Sequence, residues 1–271
     1  ASVDLAEDAE LLELMAQAGF YGVFLGIETP DTDSLEVTRK FQNIRKPLVE
    51  ACNTINQAGL LVYAGFIIGF DAERSGAGER IQAFIEETTI PQPMLGILQA
   101  IPNTNLWHRL EQEQRLLAGT DGKEVKDQNS LMNFVPTRPT TEIAQEYVEA
   151  IWKMYEPQKY LRRCFEQCLR INPNPNLQQN MYFPPGKGIK LIAQVILRQG
   201  LQRKEIRAQF WKQLWAIIQK KPQFLNMYLG LCAAGEHFWE YRLLTRERIT
   251  QQLGFDPLNK SKIMEKELIA V

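Results

Sequence analysis

The chain has 271 residues, 45% of them apolar and 23% charged, with a net charge of −1. That is enough apolar material for a sizeable folded core, and the balanced charge gives no general reason to bind nucleic acid. No apolar run reaches the length needed to span a membrane, and four cysteines without a disulfide-like pattern favour a reducing, cytoplasmic setting.

The first 120 residues alternate between helical and strand-like patterns. Residues 11–17 read as the end of a helix stopped by Gly19, and the apolar run 20–27 closes on Glu28. Residues 47–58 carry helical spacing through Leu48, Ala51, Cys52 and Ile55. Gly59 stops that helix and residues 60–70 make a second strand. Asp71 or Ser75 is expected to cap the next helix, 79–87, whose Ile81, Phe84 and Ile85 share one side. A third apolar strand, 94–101, ends at Pro102. Near-continuous apolar strands separated by helices predict a parallel sheet with right-handed crossovers, so all three polar strand ends should lie on one edge.

Beyond the polar stretch 119–129 the pattern becomes helical throughout. The chain is expected to divide into residues 1–120, a linker or loop at 121–139, and an all-α region at 140–271 opened by a Thr140 or Thr141 cap. Three stripes mark its core faces: Ile143, Tyr147, Ile151 and Met154; Ile206, Phe210, Leu214 and Ile217; Phe224, Tyr228, Leu231 and Cys232. The basic residues around Trp211 and Trp215, among them Arg203 and Lys204, read as a solvated face rather than a phosphate or membrane site. His108 follows the third strand, His237 sits among aromatics, and two distant histidines do not make a metal site.

The segment Gly65-Phe66-Ile67-Ile68-Gly69-Phe70-Asp71-Ala72-Glu73 places two glycines and a carboxylate at the end of the second strand. Glycine there permits close backbone approach or a positive φ, and Ile67 offers an apolar face to a flat ring; the bland alternative is a bulge or tight helix packing. Since α/β proteins bind ligands at the carboxyl ends of their strands, Glu28 with Thr29, residues 65–73 and residues 99–104 are expected to converge.

Four motifs in order, Phe24-Leu25-Gly26-Ile27-Glu28-Thr29-Pro30, Lys40-Phe41-Gln42-Asn43, residues 65–71 and Ala100-Ile101-Pro102-Asn103-Thr104-Asn105-Leu106, resemble the second half of a radical S-adenosylmethionine (radical SAM) barrel. They are most similar to the cobalamin-binding branch that includes tetrapyrrole cyclase and hopanoid methylase relatives, in which a helical domain of unknown function follows the barrel. The resemblance implies a fold class of α/β, with a partial (β/α) barrel of about three parallel strands followed by an all-α domain. It implies that Glu28, with Thr29 beside it, meets the ribose or methionine part of S-adenosylmethionine, that Ile67 packs on adenine with Gly65 and Gly69 leaving room, and that Glu73 braces the turn. Main-chain groups from Gln99 to Ile101 would meet the adenine edge, and Asn103 stands where relatives often have glycine.

The same resemblance implies a [4Fe-4S] cluster and, in this branch, cobalamin. The chain departs from it at the cluster. Cys164 and Cys168 have the first spacing of a C-x-x-x-C-x-x-C set, but Ile171 stands at the third position and the pair falls in a helical region. Their i, i+4 relation fits core thiols. The expectation is therefore a fragment that begins within the barrel, inactive alone, with no cofactor bound to it alone. Its partners would be the missing amino-terminal barrel half and cobalamin module, an apolar small-molecule substrate, and through an exposed sheet edge a second copy. The competing expectation is a non-catalytic nucleotide- or partner-binding module with a helical docking surface.

Overall fold

The structure, a computed structural model, describes residues 1–31, 47–117, 131–174, 176 and 187–259, without the side chains of 187–189 and 191. The Lys40-Phe41-Gln42-Asn43 motif, residues 119–129 and residues 184–186 lie outside the described residues.

Helix α1 (Ala9–Gln17) leads into strand β1 (Gly22–Glu28), followed by α2 (Leu48–Gln57), β2 (Leu61–Ile68), α3 (Ala77–Thr88), β3 (Pro93–Ile97) and α4 (Asn105–Gln112). The strands form one parallel sheet in the order β1-β2-β3, with Val23 opposite Val62 and Ile67 opposite Gly96. The expected parallel sheet is therefore present, and its strands are neighbours in chain order.

Alternation along each strand decides the two faces of this sheet. Val23, Leu25, Ile27, Val62, Ala64, Phe66, Ile68, Leu95 and Ile97 are buried, beneath α2 and α3 and the later helix α5 (Thr140–Met154). The opposite face carries Phe24, Gly26, Tyr63, Gly65, Ile67, Met94 and Gly96, all of them partly or well exposed. Because α2 and α3 pack on one another and on the same side of β2, both crossovers lie on one face.

The remaining helices are α5, α6 (Pro157–Arg170), α7 (Lys187–Val195), α8 (Arg207–Lys220) and α9 (Leu225–Leu253). All three stripes read from the sequence are buried, and they join the sheet in one continuous apolar core. No described helix is long and apolar enough to cross a membrane.

Several local expectations are corrected. Neither Asp71 nor Ser75 caps α3; its N-cap is Gly76 in the left-handed region, and the free N–H groups of Gly76 and Gly78 donate to the Glu146 carboxylate at 2.7 and 3.3 Å. Neither Thr140 nor Thr141 caps α5, since both lie inside the helix and its N-cap is Pro139, which has no polar side-chain atom; Glu142 binds Arg138 at 2.8 Å and accepts from the Ser75 hydroxyl. The third strand stops at Ile97 instead of 101. Asn133 takes over there, accepting from Ala100 N at 2.8 Å and donating to Ala100 O at 2.9 Å, so no ladder partner is needed.

Candidate functional site

The carboxyl ends of β1, β2 and β3 lie side by side, which brings Glu28, Ile67 and Gln99 to one edge of the molecule. At the end of β1 the register shifts between Gly26 and Glu28, and Glu28 sits at φ 66°. A bulge of this kind re-aims the following side chain, and a non-glycine residue in the left-handed region is held there only when its surroundings over-determine it. Thr29 is wholly buried, and its hydroxyl accepts from Asp31 N at 3.1 Å. It therefore fixes the turn on which Glu28 is mounted. Asp31 is in turn gripped by Arg80 Nε and Nη2, each at 2.6 Å.

The turn after β2 is closed by Glu73, whose Oε2 accepts from Gly69 N at 2.7 Å. Gly69 has φ 105°, a conformation side chains avoid, and the Met132 methyl fills the place a Cβ would take. The Phe24 ring, itself about half exposed, lies over Gly65. Neither glycine thus leaves an empty space above it. Gly96 does: a Cβ there would meet nothing within 4 Å, and its neighbour across the ladder is the partly exposed Ile67. Gln99 donates to Leu131 O at 3.1 Å while Ile101 is exposed. Asn103 takes φ 63°, which is why asparagine serves where glycine would be expected, and Thr104 caps α4 by accepting from Trp107 N.

Sequence reasoning missed the arginines that lock this edge. Arg109 and Arg115 both reach Asp71 at 2.6 Å, and the Thr137 hydroxyl donates to Asp71 O. Arg138, quoted in the sequence only as part of a boundary, stands 3.1 Å from Glu73 and also binds Glu142 and Glu146. Glu73 is fully buried, and its Oε1 finds no hydrogen-bond partner among the described residues. Burial, opposed by the Gly69 N–H and Arg138 and reinforced by Glu146 and Asp31, pushes its carboxyl up to about 7. One guanidinium shared by three carboxylates cannot fully offset that desolvation.

The four cysteines are all buried. Burial pushes the Cys52 and Cys164 thiols up to about 12 and those of Cys168 and Cys232 well above their ordinary range. Thiols held protonated in a core do not suit an iron–sulfur cluster, which needs thiolates. Among the described residues no group of three or more His, Cys, Asp or Glu is placed to hold a metal. His108 is exposed, 3.8 Å from Glu111. In the basic cluster, Arg203 is turned inward to Glu236 at 2.7 Å and over the Trp239 ring.

Similarity to known proteins converges on methyltransferases. The chain is 48% identical over 253 residues to an uncharacterized methyltransferase of Synechocystis sp., covering 93% of this chain and 46% of that protein. It is 31% identical over 217 residues to the hopanoid C-2 methylase of Rhodopseudomonas palustris, covering 78% of this chain and 39% of that protein. The chain spans less than half the length of both relatives. Residues 104–251, more than half of the chain, match the domain of unknown function DUF4070, and the chain belongs to that family.

Proposed function

We propose that the chain works as the carboxy-terminal part of a longer radical SAM methyltransferase, with β1–β3 forming half of a parallel barrel. The observation that carries this reading is the bare patch at Ile67 and Gly96, on the open sheet face beside the carboxyl ends of the strands. A flat adenine fits against the Ile67 side chain where Gly96 presents only backbone. Glu28, turned by the bulge, is offered to the ribose or methionine part, with Gln99 and Ile101 bordering the ring. Thr29, Gly69 and Glu73 act one step away, by holding the turns. Sequential strand order with both crossovers on one face, and relatives named as methyltransferases, support the same reading.

S-adenosylmethionine would supply the methyl and adenosyl groups. This chain's residues position it and keep water from its apolar face. The buried cysteines do not fit the [4Fe-4S] cluster, so that cluster and any cobalamin belong to the rest of the longer protein. The outer strands β1 and β3 are the edges to which that barrel half, or a second copy, would add. The substrate is proposed to be an apolar small molecule and the setting cytoplasmic.

The test uses the anaerobically reconstituted full-length protein, followed by iron–sulfur absorption and release of 5′-deoxyadenosine. Ile67→Asp should weaken S-adenosylmethionine binding by about tenfold or more while leaving the fold intact, because the residue is partly exposed. A full-length protein that takes up no cluster and cleaves no cofactor would favour a nucleotide- or partner-binding module instead.

A further inference from the structure

The opposite ends of the strands hold a different space. A cavity of about 510 Å³ lies between the amino ends of the sheet, at Leu61 and Tyr63, and the start of α9, at Phe224, Met227 and Gly230. That volume is ordinary for a small-molecule site, roughly 300–1,000 Å³. Among the described residues no Asp, Glu, Lys or Arg lines it. Lys221 touches two lining residues, but its ammonium is already engaged, donating to Ile171 O at 3.1 Å and lying over the Phe224 ring, so a charged ligand would enter at a desolvation cost without a free counter-ion in the wall. Polar groups are present, but neutral: the tyrosine hydroxyls and, at the exposed rim, the amides of Gln223 and Asn226. Burial and the nearby Tyr21 push the Tyr63 hydroxyl up to about 12, so it stays protonated.

The two glycines of α9 have different surroundings, and only one of them faces this space. At Gly235 a Cβ would sit 2.8 Å from the Tyr160 ring, so packing requires glycine. At Gly230, in the cavity wall, a Cβ would meet nothing within 4 Å. A glycine inside a helix costs about 1 kcal/mol against alanine. Packing does not explain Gly230; room for a ligand does.

We propose that this cavity binds a neutral, largely apolar small molecule, gripped by Tyr63, Phe224 and Met227 and oriented by the hydroxyl and amide groups of its wall. Ile67 and Tyr63 are four residues apart on one strand, about 13 Å, so this site is separate from the proposed nucleotide position. It stands whether or not the carboxyl edge takes S-adenosylmethionine.

The test is a pair of fluorescent probes with the whole chain: neutral N-phenyl-1-naphthylamine and its sulfonated relative 1-anilinonaphthalene-8-sulfonate. The neutral probe should saturate one site and bind about tenfold tighter than the sulfonate. Gly230→Leu should fill the cavity and weaken the neutral probe by about tenfold or more, without lowering Tm. Gly230→Ala, the milder change, should raise Tm by about 2–4 °C. Equal affinity for both probes would overturn the proposal, as would unchanged binding in Gly230→Leu or a lower Tm in Gly230→Ala.

Discussion

At the carboxyl ends of β1–β3 the stretch of chain between β3 and α5 arrives as charge. Arg109, Arg115 and Arg138 take up Asp71 and Glu73, and Met132 fills the space over Gly69. At the amino ends the all-α region arrives as Phe224, Met227 and uncharged amides around open space. The contrast separates two ways of preparing for a ligand. One end fixes a turn by ion pairs and hydrogen bonds and leaves bare a strip at Ile67 and Gly96, whereas the other leaves the room itself and little to hold it shut.

The sharpest way to break that contrast is to remove the charge at the fixed end. Arg138→Ala strands Glu73, Glu142 and Glu146 beside one another in a site where the guanidinium is 11% exposed and Glu73 not at all. Deleting one partner of a buried pair typically costs about 3–5 kcal/mol, and adding Glu73→Gln should recover part of it. Urea denaturation reads both effects. A loss below about 1 kcal/mol would mean the pairs behave as surface ones and do not fix the turn.

Next in size is a pH effect at the same place. The Glu73 carboxyl, raised to about 7 from 4.5, keeps its proton more firmly in the folded than in the unfolded chain. Its contribution is therefore fully present below about pH 4.5 and lost as pH rises toward 7 and beyond, a drop of roughly 3 kcal/mol by linkage. Glu73→Gln should flatten that fall, so the difference between the two proteins shrinks steadily from pH 8 to pH 5. Parallel stability curves would show that Arg138 compensates the carboxylate after all.

Helix α3 is joined to α5 by a closer approach, and Gly78→Ala tests it. A Cβ there would stand 2.6 Å from Glu146 O, a backbone atom that cannot swing away. Overpacking of that kind costs about 1–3 kcal/mol, and it would also shift Glu146 from the N–H groups of Gly76 and Gly78. Thermal unfolding measures the loss.

How these features relate to the sequence follows from their range along the chain. The three strands were legible because each is a short apolar run bounded by Gly, Pro or a carboxylate, and the helical stripes because Ile143, Tyr147, Ile151 and Met154 repeat at helical spacing. Bringing Glu28, Ile67 and Gln99 to one edge needed only the rule that such strands run parallel. The partners that finish the site are far off in sequence: Arg138 lies 65 residues from Glu73, and Asn133 lies 33 from Ala100. No periodicity announces such pairs. Helix caps failed for the same reason, since Glu146 caps α3 from 70 residues away while the nearby Asp71 and Ser75 are drawn elsewhere.

The smallest expected effect is at Gly96, and it bears most directly on the nucleotide. Because a Cβ at this position meets open space, Gly96→Ala should be accepted without a clash and should stabilise the strand by about 0.5–1 kcal/mol, the usual cost of glycine within β structure. The methyl would nevertheless rise from the sheet face next to Ile67, where the adenine is proposed to lie flat. Stability and S-adenosylmethionine affinity should therefore move in opposite directions in the full-length protein, measured by thermal unfolding and equilibrium dialysis. If affinity holds while stability rises, the ring does not lie on this strip.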